Sequence, residues 1–105
     1  MGELEKMCIH IGEPKPTLTG EMAAGAFAWE MQKCGFNVEI LNMQDKLRVY
    51  VAYWASPQGR KEYIKTEFNF AKAGFVTYDS LRGLIEYLIV EANKQGANVN
   101  GTKRS

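Results

Sequence analysis

One histidine, His10, is all the imidazole this chain of 105 residues has. No other side chain titrates near neutrality unperturbed, so general acid–base chemistry falls to His10 or to a carboxylate. Cysteine is scarce as well. Cys8 and Cys34 form no CxxC pair, which excludes the disulfide framework of small secreted domains. No disulfide between them and no bound metal are expected. No run approaches the ~20 apolar residues of a membrane helix. The opening MGELEKMCIHIGEP lacks the long apolar stretch of a signal peptide, so a cytoplasmic protein with free thiols is expected. The glycines near Gly20 and Gly25 form neither GxGxxG nor GxxxxGK. A phosphate-cradling loop is thereby excluded, and no cofactor is expected. Net charge is only +1, which argues against holding nucleic acid by bulk charge alone.

What remains is an ordinary globular mix, with 46% hydrophobic and 24% charged residues. That suits one domain able to bury roughly 60–70% of its unfolded surface. The charge is unevenly spread. Residues 1–30 hold Glu3, Glu5, Glu13, Glu21 and Glu30 against Lys6 and Lys15, a net of −3. Residues 44–72 hold Lys46, Arg48, Arg60, Lys61, Lys65 and Lys72 against Asp45, Glu62 and Glu67, a net of +3. Such a dipolar chain can steer an anionic partner or pair head to tail with a copy of itself.

Along the chain, Met7, Ile9 and Ile11 alternate with Cys8 and His10, the period of a short strand. Pro14 and Pro16 then forbid regular structure, which leaves residues 1–16 as an N-terminal segment. In TLTGEMAAGAFAWEMQKCG, Thr17 or Thr19 can cap a helix, Glu21 suits its first turn and Gly35 ends it. At 100° per residue, Leu18, Met22, Gly25, Ala26 and Trp29 fall on one side of this helix. Phe27, Met31 and Cys34 fall nearly opposite. A helix apolar on both sides is buried on both. One side is expected on a sheet, and the other against the N-terminal segment, the second helix or another subunit. Met22, Phe27, Trp29 and Met31 are the candidate self-association residues, and a homodimer is expected.

Two strand-like runs then meet at Gln44-Asp45-Lys46, a turn signal. With Asp45-Lys46 as the loop, Val49 opposes Asn42, Val51 opposes Ile40 and Tyr53 opposes Val38. Phe36, Val38, Ile40, Val49, Val51 and Tyr53 then share one face. Glu39, Leu41, Met43, Arg48, Tyr50, Ala52 and Trp54 share the other. After a turn at residues 56–60, Ile64, Thr66, Phe68 and Phe70 alternate with Tyr63, Lys65, Glu67 and Asn69. The second helix takes Thr77 as N-cap, with Val76 and Leu81 as a hydrophobic staple. Leu81, Leu84, Ile85, Leu88 and Ala92 form its stripe, and Gly96 stops it. Residues 97–105 read as a flexible polar tail.

The order is helix, three antiparallel strands, helix, with a short N-terminal strand in front. It predicts an α+β two-layer sandwich over residues 17–96, both helices on one face, with Val38, Val51, Phe68 and Leu84 buried. Double-stranded RNA-binding domains share this order. Their last helix opens on a basic, alanine-rich run, whereas this chain reads TYDSLRGLIEYL with Asp79 and only Arg82, so membership is not assigned.

The function expected is a non-enzymatic interaction module of the size of the inhibitors and adaptors made by phages and other mobile elements. Its partner surface is the sheet face without helices: Arg48, Tyr50, Trp54, Tyr63 and Lys65, with Arg60 and Lys61 at the rim. Trp, Tyr and Arg are the residues of protein hot spots, so a protein partner comes first. Aromatics beside cations also stack and neutralise single strands, which makes nucleic acid the alternative. A Cys8–His10 nucleophile pair, with Cys34 as a third metal ligand, is the enzymatic alternative.

Overall fold

The structure, a computed structural model, describes residues 17–97 and Val99. Strand β1 (Thr17–Thr19) leads directly into helix α1 (Gly20–Lys33). Strands β2 (Asn37–Asn42), β3 (Lys46–Ala55) and β4 (Glu62–Ala71) follow. The short strand β5 (Phe75–Thr77) then leads into helix α2 (Tyr78–Lys94). The sheet is antiparallel in the order β2-β3-β4, while β1 and β5 pair separately. The expected α+β arrangement is therefore present. Among the described residues no helix is long and apolar enough to cross a membrane.

The helix ends follow from local chemistry. Thr19 caps α1, its hydroxyl accepting from the Met22 amide at 3.2 Å. Thr77 caps α2 in the same way, accepting from the Ser80 amide at 3.1 Å. Each helix ends on a left-handed glycine, Gly35 at φ 104° and Gly96 at φ 86°. The Phe36 amide then reaches back to the Met31 carbonyl, and the Ala97 amide to the Ala92 carbonyl, both at 3.0 Å. These bonds satisfy carbonyls the helix itself leaves free. Val76 is partly buried and packs against the core cluster to which buried Leu81 belongs.

The core lies between the helices and one face of the sheet. Val49, Val51, Tyr53, Phe36 and Phe70 supply the sheet side, and Leu81, Ile85 and Leu88 the α2 side. Val51 is buried as expected, while Val38, Phe68 and Leu84 are partly buried and packed against the core. Phe27 is central, its ring 5.2 Å from Phe68 and 5.5 Å from Phe70. Gly20 permits the close approach of α1 to β4. A Cβ there would lie 1.8 Å from the Ala71 carbonyl oxygen.

Four expectations change. The β2–β3 loop is Gln44-Asp45, closed by the Met43 amide donating to the Lys46 carbonyl at 2.9 Å. Val49 therefore opposes Ile40, Val51 opposes Val38, and Tyr53 pairs with Ile64 rather than Val38. Moving the loop by one residue shifts the register by two, and a shift of two returns every side chain to the same face. Second, the two sides of α1 are not equivalent. Phe27 and Met31 are fully buried, whereas Met22 and Trp29 are 58% and 62% exposed. Phe27 and Met31 thus belong to the chain's own core and drop out of the self-association set. Third, two residues of the segment expected as a tail are not fully solvated, since Val99 is buried and Ala97 packs on the core. Fourth, Thr17–Thr19 is a strand as well as a capping segment, antiparallel to Phe75–Thr77. The expected strand at Met7–Ile11 lies outside the described residues.

Candidate functional site

Alternation along β3 and β4 presents a second set of side chains on the face away from the helices. Register aligns them in rows: Arg48 with Asn69, Tyr50 with Glu67, Ala52 with Lys65, and Trp54 with Tyr63. Strand β2 adds Leu41, Glu39 and Asn37 opposite Arg48, Tyr50 and Ala52.

The aromatic end of this face is built by one cross-strand pair. The Trp54 and Tyr63 rings lie 4.9 Å apart, tilted by 54°, yet both residues stay about half exposed. Lys61 places its ammonium 5.6 Å from the Trp54 ring centre, and Lys65 sits 4.7 Å from that of Tyr50. The Asn37 amide donates to the Tyr63 hydroxyl at 3.2 Å, tying the edge strand to the far one. Between these groups Ala52 is small and buried. Its missing bulk leaves an open groove of about 290 Å³ whose walls include Tyr50, Tyr63, Glu39 and Lys65.

Two cations on this face already have carboxylates. Arg48 Nε lies 3.3 Å from Glu67 and donates to Asn69 at 3.0 Å. Lys65 lies 3.7 Å from Glu39. The Arg48 pKa is raised, first by hydrogen bonding to the Tyr50 hydroxyl and then by the Glu67 carboxylate, with desolvation opposing. Arg60 and Lys61, in the loop after the Pro57–Gly59 turn, form no ion pair among the described residues. In that loop Gln58 takes a left-handed φ of 56° beside Gly59.

The structure thus brings together Tyr50, Trp54, Tyr63, Lys65 and Lys61. Arg48 is on the same face but three rows from the Trp54–Tyr63 pair, and Arg60 stays in the loop. Asn37, Glu39 and Ala52 line the groove of this candidate site, and sequence reasoning did not select them. Parity placed Glu39 and Ala52 on this face, but only register shows Ala52 as the floor between two larger residues. Cys8 and His10 lie outside the described residues. Cys34 is buried at the end of α1. No protein-family model matches this chain, and neither a curated protein nor a solved structure was found to match it.

Proposed function

We propose that this chain is a non-enzymatic interaction module that binds a protein partner through the open face of its sheet, as an inhibitor or adaptor does. The observation that carries this reading is the exposed Trp54–Tyr63 pair at the head of a groove. Large aromatics held rigid by a sheet lose little entropy on binding and dominate protein hot spots. Lys61 lies over Trp54, Lys65 lies over Tyr50, and Arg48 sits further along the face, but Lys65 and Arg48 are matched by Glu39 and Glu67. A charge-balanced aromatic face fits a protein surface better than a polyphosphate, which needs net neutralising charge. Self-association is part of the same reading, now without Phe27 and Met31.

The test is capture of partners from the native host, then binding measurements with the purified partner. Trp54→Ala should weaken a protein partner about 30-fold or more, equivalent to about 2 kcal/mol. Affinity should change little with salt. A log–log salt slope of several units with an RNA or DNA strand would instead assign the face to nucleic acid. If Tyr50→Ser with Trp54→Ser leaves every captured partner in place, the face is not the site.

A further inference from the structure

We propose that the outer edge of β2 is where a second copy of this chain docks, continuing the sheet across a two-fold axis. This rests on the self-association part of the reading above and is independent of the open face.

The geometry starts from one hydrogen bond. Met43 and Lys46 close the hairpin through a bond to each other's side of the ladder. In an antiparallel pair the inward-bonding and outward-bonding residues alternate. Leu41, Glu39 and Asn37 therefore bond inward to β3, and Val38, Ile40 and Asn42 direct their amides and carbonyls outward. Among the described residues strand β2 ends one side of the sheet, so no described strand lies beside those outward groups.

The two edges of the sheet differ. Strand β4 carries Glu62, Lys65 and Glu67 along its length, the charges that blunt an edge against pairing. Strand β2 reads NVEILN, with one charge, no lysine and no proline. Ile40 and Leu41, on its two faces, are 49% and 46% exposed. An open, weakly charged, apolar edge is a template for another strand. The Met22–Trp29 face of α1 is also exposed, but it offers no directional groups that select a partner.

Self-pairing has few registers. A two-fold axis normal to the sheet keeps both helix layers on one side, so opposed residues must have the same parity. Centring on Glu39 sets two carboxylates face to face, which is repulsive. Centring on Val38 calls on Phe36, whose amide is already bonded to Met31. Centring on Leu41 loses one of the hydrogen-bonded pairs. Centring on Ile40 pairs Ile40 with the second copy's Ile40, and Val38 with its Asn42, in both directions. Glu39 then lies against the second copy's Leu41, one strand from the Arg48 of that copy, and the like charges are separated. A six-residue edge is at the small end of stable interfaces, which bury about 1,200 Å² or more. A reversible dimer with micromolar dissociation is the consequence.

Light scattering and sedimentation equilibrium from micromolar to submillimolar concentration read the dimer, and Ile40→Pro tests the edge. Proline removes the outward amide and spares the β2–β3 ladder. The dimer dissociation constant should rise at least about tenfold, because two intermolecular bonds are lost. Register is read by mixing a Glu39→Cys population with a Leu41→Cys population, both carrying Cys8→Ser. Oxidation should give cross-linked heterodimer in the mixture and little from either alone, since these residues oppose each other at bridging distance. Trp54→Ala should leave the dimer intact, so loss of partner binding and loss of the dimer are separate results. A monomeric wild-type chain overturns the proposal, as does a folded Ile40→Pro chain that dimerises unchanged. Equal cross-linking in mixed and unmixed populations does so too. Should Ile40→Pro unfold by circular dichroism, the cross-linking pattern decides.

Discussion

Replacing Phe27 by alanine tests the assignment of the two sides of α1. Phe27 is fully buried, with Phe68 edge-on at 5.2 Å and an interplanar angle of 73°, and Phe70 tilted at 5.5 Å. Removing a buried ring of this kind costs about 3–5 kcal/mol, from lost transfer energy and the cavity left behind. Aromatic pairs contribute about 0.5–1.5 kcal/mol of it each. A domain of this size has about 5–15 kcal/mol in total, so the variant is marginal. With a urea slope of about 1–2 kcal/mol per molar, the midpoint should fall by about 1.5–5 M. Trp29 is the control. It is the larger ring, but it is 62% exposed and its recorded contact is Lys33 at 5.9 Å. Trp29→Ala should cost less than about 1 kcal/mol. A Trp29→Ala loss equal to or larger than that of Phe27→Ala would mean the core lies on the opposite side of the helix. A double-mutant cycle of Phe27 with Phe68 should show coupling of about 1 kcal/mol.

Two further outcomes follow from the packing. Burial raises the Tyr53 pKa above its ordinary value, with the Glu91 carboxylate and Tyr87 adding to the shift. The phenol binds its proton more tightly folded than unfolded, so this stability is complete below about pH 10 and is lost as pH rises through the folded pKa. Tyr53→Phe should flatten the alkaline limb of a stability–pH curve, and an unchanged limb would remove Tyr53 as its cause. Gly20→Ala should destabilise by about 1–3 kcal/mol, because the new methyl meets the Ala71 backbone. Gly25→Ala, on the same helix with nothing within 4 Å, should stabilise by about 0.5–1 kcal/mol. Matching signs in thermal melts would contradict the close approach of α1 to β4.

Much of this architecture is legible in the residues because periodicity and capping are local. Thr19, Gly35, Thr77 and Gly96 mark helix ends by chemistry each carries itself. Strand faces follow from alternation, which groups Tyr50, Trp54, Tyr63 and Lys65 on one face. Register is less legible. Gln44, Asp45 and Lys46 all suit a turn, and none requires a positive φ that would single out its place. The strands β1 and β5 are three residues each, too short for any period to show. Both apolar sides of α1 were visible, but which one meets the sheet depends on Phe68 and Phe70 arriving from β4. Which strand lies at the edge is a property of the assembled sheet. The groove at Ala52 likewise exists only once Tyr50, Tyr63 and Lys65 surround it.

The small β1–β5 pair has an influence out of proportion to its length. Its last residue on one side, Thr19, is the N-cap of α1, and its last on the other, Thr77, is the N-cap of α2. The pair joins positions about 60 residues apart, and closing such a loop costs roughly 3–4 kcal/mol of chain entropy. The hairpins of the main sheet close over far shorter spans, so they form without it. Loop-closure entropy therefore favours a seam that forms after the hairpins, whereas the two threonine caps are local and do not wait for it. Opening the seam frees the two strand segments that lead into the helices. One short strand pair thereby links the entries of both helices, about 60 residues apart in the chain.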